Sequence, residues 1–126
     1  MIDHVSIPVH DLARSTALYA RVLAPLGLTQ LVARETTTGF GKTYPEFWLN
    51  ARAEVPIDPN TGAHVCLRAP DEAAVRVFFA EALAQGCQSD RDPAPYPGER
   101  TTYFAAFIRD PDGNKIEAAT FPRPPT

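Results

Sequence analysis

Two short stretches of the chain alternate apolar and polar side chains with the period of a strand, and each is followed by a helical pattern. In His4 to Val9, Val5, Ile7 and Val9 fall on one face and His4, Ser6 and Pro8 on the other. In His64 to Ala69, Val65, Leu67 and Ala69 oppose His64, Cys66 and Arg68. Asp11 and Asp71 stand where N-caps belong. The spacing of Leu12, Ala17, Tyr19 and Leu23, and of Ala74, Val77, Phe78 and Leu83, predicts a helix after each cap. Gly86 offers a natural C-terminal stop. Turn residues separate the remaining β-rich runs. These are Leu28 to Glu35, Gly39 to Tyr44 and Glu46 to Asn50 in the first half, and Cys87 to Ser89, Thr101 to Arg109 and Asn114 to Thr120 in the second.

The two patterns are copies of one another. A shift of 60 residues lays His4, Val5 and Ile7 over His64, Val65 and Leu67, and Asp11 over Asp71. The match continues with Ala13 over Ala73, Tyr19 over Phe79, Ala20 over Ala80 and Leu23 over Leu83. The chain therefore reads as a duplicated β-α-β-β-β module, about 1–50 and about 62–121, with a linker over 51–61 and a proline-rich tail over 122–126. The second copy is longer by 90–100, whose prolines, Tyr96 and Gly98 predict a surface loop able to lie over a pocket. The helix of each module must cover the apolar side of its strands, which leaves His4 and His64 on the other side.

Composition narrows the partners. A net charge of −3 with no Lys/Arg run argues against nucleic acid or an anionic membrane. No apolar stretch approaches the roughly 18 residues of a membrane span, and no export signal is evident. Cys66 and Cys87 then read as two reduced thiols in a cytoplasm.

The last strand follows a tight turn, Asp110-Pro111-Asp112-Gly113, in which Pro111 presets φ and Gly113 tolerates a positive one. Alternation then places Lys115, Glu117 and Ala119 on one face. A lone glutamate there is ordinarily a solvated strand residue, so its meaning depends on what shares its face.

The paired modules, the opening Asp3-His4-Val5-Ser6-Ile7-Pro8-Val9, the start Gly62-Ala63-His64-Val65 and the closing Asp110-Pro111-Asp112-Gly113-Asn114 with Ile116-Glu117 resemble the glyoxalase I, bleomycin resistance and extradiol dioxygenase superfamily, also called vicinal oxygen chelate. The resemblance implies an α+β fold in which two modules form a curved mixed-sheet cup with helices outside. It implies metal ligands at His4, His64 and Glu117, a set that leaves positions open for substrate and suits Fe, Mn, Ni or Zn. It also implies a homodimer in which His4 reaches the site from one chain and His64 with Glu117 from the other. The substrate would be a small molecule with vicinal oxygens, handled by Lewis-acid chemistry.

Particular activities fit less evenly. Glyoxalase I carries a further glutamate, its catalytic base, where this chain aligns Trp48, which can neither bind a metal nor abstract a proton. Glu46, one pleat away, takes that role only if the register slips by two. Extradiol dioxygenases keep the two-histidine, one-carboxylate set, but their upstream histidine and tyrosine are replaced by Gly98 to Arg100 and by Phe107, with Tyr103 as a partial substitute. Fosfomycin resistance enzymes share the triad and add a cationic cluster, for which Arg68, Lys115 and Arg100 are the candidates. Metal-free bleomycin-binding proteins and thiol transferases complete the alternatives. Phe40, Tyr44, Phe47 and Trp48 read either as an apolar wall for a ring-bearing ligand or as core. Cys66 reads as a soft ligand, a nucleophile or a small buried thiol. Tyr96 and Arg100 are candidates for a lid, and His10, at a helix start, is expected to be exposed.

Overall fold

The computed structural model describes residues 1–122. Of the expected tail, only Pro122 is among them. Each half folds as the periodicities dictate: β1 (Val5–Val9), α1 (Leu12–Leu23), β2 (Thr29–Ala33), β3 (Thr37–Gly41) and β4 (Pro45–Ala51), then β5 (Val65–Arg68), α2 (Glu72–Ala84), β6 (Gln88–Pro97), β7 (Thr102–Arg109) and β8 (Lys115–Thr120). A single 3-10 turn, Ala24–Leu26, extends α1. Asp11 and Asp71 cap their helices by accepting from Arg14 N at 3.1 Å and Ala74 N at 2.8 Å. Each bond satisfies an otherwise orphaned donor and is worth about 1 kcal/mol.

The duplication extends to topology. The strands form two four-stranded sheets, ordered β1-β4-β3-β2 and β5-β8-β7-β6, in which the first pair is parallel and the others antiparallel. The resemblance implied one cup. In a single chain the two sheets stay separate, with β1 and β5 as edges not paired to each other. One apolar cluster nevertheless spans both modules, from Ile7, Val9, Leu18 and Val22 to Val75, Phe78, Ile108 and Ile116. The helices pack on their own sheets and on each other. In α2 the buried stripe is Ala74, Val75, Phe78 and Ala82, so Val77 and Leu83, expected inside, point to solvent. In α1 Leu18 and Val22 take the inward place expected of Ala17.

The longest departure from expectation is β6. Its ten residues occupy most of the predicted loop, leaving only the turn at 98–101. Proline is tolerated because β6 is an edge strand carrying two register shifts, between Ser89 and Arg91 and between Arg91 and Ala94. Pro95 and Pro97 are two residues apart, so their missing N–H groups fall on the same, unpaired side of the strand.

The Asp110 turn fastens the two halves. Asp110, 4% exposed, accepts from Asp112 N and Asn114 N through Oδ1, and from Tyr19 O–H at 2.7 Å and Asn114 Nδ2 at 3.0 Å through Oδ2. Asn114 Nδ2 also donates to Pro8 O at 2.8 Å. Burial raises the Asp110 carboxyl while the Tyr19 and Asn114 bonds pull it down, and burial drives the Tyr19 hydroxyl well above its usual range. Gly113, at φ +97°, allows Gly113 N to close onto Asp110 O at 2.9 Å.

Candidate functional site

The face of the second sheet turned away from the core carries most of the chemistry. Register places Cys66 opposite Glu117, and Glu117 opposite Phe107, which pairs with Arg91. His64, just before β5, lies with its Nε2 3.1 Å from Glu117 Oε1. Glu117 is 3% exposed, an unusual place for a carboxylate, and His64 is its ion-pair partner. The His64 ring packs against Phe107 at 6.0 Å between centroids, and Tyr96 meets Phe107 edge-on at 5.8 Å. Tyr103 stacks on Phe121 at 5.0 Å, and Ala105 and Ala119 lie buried beneath this aromatic group.

Cations rim the same face. Arg91 lies over Tyr96 and Phe107, Lys115 over Phe107 and Arg68 over Phe121, each within 6 Å of a ring centroid. Lys115 Nζ also pairs with Asp90 at 3.0 Å, which, with Arg109 beside it, holds the Asp90 carboxyl below its ordinary range. Cys66 keeps surface exposure, yet desolvation by its neighbours and the Glu117 charge push its thiol up to about 12. The Tyr103 hydroxyl is raised for the same two reasons, burial first and Glu117 second.

The first sheet presents a different surface. His4 sits in a cleft of about 400 Å³ with Asp3, Ser6, Arg34, Tyr44, Trp48 and Asn50 among its walls. Its Nδ1 is 2.7 Å from Asp3 Oδ1, and hydrogen bonds from Tyr44 and then His4 hold the Asp3 carboxyl low. Ser6 pairs with Trp48 in the register in which Cys66 pairs with Glu117, so Trp48 occupies the position equivalent to Glu117. Arg34 stacks on the Trp48 ring. That ring lies so close over Gly39 that a Cβ there would meet it at 3.0 Å.

The structure thus brings together His64, Glu117, Cys66, Tyr96, Tyr103 and Phe107, and sets His4, Trp48 and Glu46 on the other module. Among the described residues, no group of three His, Cys, Asp or Glu side chains lies close enough to hold a metal ion. Phe40 is fully buried in the core and pairs with Phe47, so it offers no wall to a ligand. The alternation of β3 turns it inward between Gly39 and Gly41. Arg100 falls in the short turn after β6, exposed. The rim positions of Arg91 and Asp90 went unnoticed in the sequence because both sit in the stretch read as loop. His10 is exposed, as expected, and also bridges Asp112 at 3.0 Å and Val55 O at 2.9 Å.

Comparison with known proteins agrees with this architecture. The family model described as Glyoxalase/Bleomycin resistance protein/Dioxygenase superfamily matches residues 1–118. A glyoxalase/bleomycin resistance protein from Albidiferax ferrireducens T118 is 27% identical and superposes with a TM-score of 0.87, over 96% of this chain and 99% of that one. A glyoxalase/bleomycin resistance protein/dioxygenase family enzyme from Burkholderia phytofirmans PsJN gives 0.71 at 18% identity, over 94% and 96%. The fosfomycin resistance protein FosX from Listeria monocytogenes gives 0.70 at 14% identity, over 97% and 93%. These last two share the fold. No protein of curated function matches the chain.

Proposed function

The chain belongs to the glyoxalase/bleomycin resistance protein/dioxygenase superfamily, and from that premise we propose that it is a divalent-metal enzyme acting on a small substrate with vicinal oxygens. The site would be shared between two copies. The observation that carries this reading is the pair His64 Nε2 and Glu117 Oε1, 3.1 Å apart on one face. An imidazole nitrogen and a carboxylate oxygen are a fitting donor set for Fe, Mn, Ni or Zn. One chain supplies only these two, and His4, 55% exposed on the other module, is the third donor offered to a second copy.

A divalent ion held there would act as a Lewis acid toward two neighbouring oxygens of the substrate. The chain's own residues do the rest. Phe107 and Tyr96 exclude water beside His64, and Arg91 and Lys115 favour a substrate that is or becomes negatively charged. In the metal-free chain, burial and then the Glu117 charge push the Cys66 thiol up to about 12, which makes it a poor nucleophile. Trp48 supplies an apolar surface in place of a second carboxylate. This leaves the group that moves a proton to be sought at Tyr103 or Glu46.

Elemental analysis after reloading tests the reading. The wild-type chain should hold about one transition-metal ion per copy, and His64→Ala none. Mixing His64→Ala with His4→Ala chains should restore part of the lost metal, because a mixed dimer regains one intact site. A light-scattering monomer that still binds metal would overturn the shared site. No metal in the wild type would leave an aromatic pocket for sequestering a drug or metabolite.

A further inference from the structure

Between the free edges of β1 and β5 lies a cleft of about 360 Å³, within the range of small-molecule sites. Its apolar walls are Ile7 and Val65 from the two strands and Val55, Pro56 and Ile57 from the segment that joins the modules. That segment is fastened rather than loose. His10 Nε2 is 2.9 Å from Val55 O, Arg109 Nη1 donates to Pro59 O at 2.7 Å, and Arg52 N donates to Val9 O at 2.8 Å. The wall is therefore built before any ligand arrives. It also leaves Val55 52% exposed, an apolar side chain held over a cavity with nothing covering it. The lining also carries the polar side chains of Ser6, His64, Arg109 and Lys115. The acid in the lining, Asp58, is engaged by Asn60 N at 2.8 Å.

We propose that this cleft binds the apolar body of a small amphipathic organic acid whose oxygen-bearing head lies at His64 and Lys115. The placement of the head rests on the proposed function, since His64 belongs to both sites. The cleft itself stands on its own geometry. Substrates would then be acids with an aliphatic or ring-bearing tail rather than compact, fully polar ones.

The probe is anilinonaphthalene sulfonate, followed by its fluorescence and displaced with octanoate or octanol. Saturable binding is expected, weakened at least about tenfold by Ile57→Asp. Val77→Asp, on an exposed apolar position of α2, should change it by less than about twofold. Octanoate should compete better than octanol, and Lys115→Gln should remove the difference. Val55→Asp repeats the test on an exposed side chain should Ile57→Asp fail to fold. Binding indifferent to both wall variants, or weakened equally by Val77→Asp, overturns the proposal. Equal competition by octanoate and octanol overturns the placement of the head. If no His64-dependent metal is found while dye binding still depends on Ile57, the metal site falls and the cleft stands. Metal retained in a chain whose dye binding ignores the wall removes the cleft alone.

Discussion

The two modules share strand order, capping and register, and differ in what that register presents. In the first, Ser6 stands beside Trp48, with Arg34 stacked on the indole and His4 exposed beyond it. In the second, Cys66 stands beside Glu117, with His64 against the carboxylate and aromatic rings around it. Strand order and the register of the first and last strands are repeated, while the chemistry of one face differs at a few positions. A duplicated fold of this kind can hold a histidine paired with a buried carboxylate on one module and an indole at the equivalent position of the other without disturbing either core.

The largest expected contrast lies at the Cys66 position. With its thiol pushed up from 9.0 to about 12, Cys66 should be alkylated by iodoacetamide about a thousandfold more slowly at pH 8 than an unperturbed thiol, the rate climbing tenfold per pH unit toward 12. Burial is the first cause and the Glu117 charge the second, so Glu117→Gln should speed the reaction without restoring it fully. A rate profile that levels off near pH 9 would remove the distinction. Next comes Tyr19, whose duplicate in α2 is Phe79. Tyr19→Phe makes the two helices alike and takes a donor from buried Asp110, at a cost of about 1–3 kcal/mol in urea unfolding. An unchanged midpoint would mean that the bond is not what fastens the modules. The smallest effect should come from Trp48→Glu, which gives the first module the carboxylate of the second. Metal affinity should rise by about tenfold or more if the site is shared between copies, as titration with a chelator would measure.

Much of this comparison could be read from the sequence, because burying one side of a strand forces strict alternation. The faces of His4, His64 and Glu117 followed from period two alone, and the resemblance to glyoxalase I aligned Trp48 where that enzyme carries a glutamate. What escaped was set by tertiary context. Prolines signalled a loop at 90–100, but an edge strand needs no N–H on its free side, so β6 runs through them. Phe40 could be read as a ligand wall or as core, because aromatic density says nothing of which face a ring takes, and it lies in the core. Val77 and Leu83 were misplaced because α2 is apolar over more of its surface than it buries.

The bond from Tyr19 to Asp110 spans 91 positions of the chain, and this bears on the order in which the protein can be made. Synthesis completes β4 at Ala51, long before the acceptor for Tyr19 exists. Until residue 110 emerges, Tyr19 has only water as its partner, and α1 lacks the packing that α2 gives it. Contacts of such long range slow folding. The first half therefore completes its packing only once the second has been made.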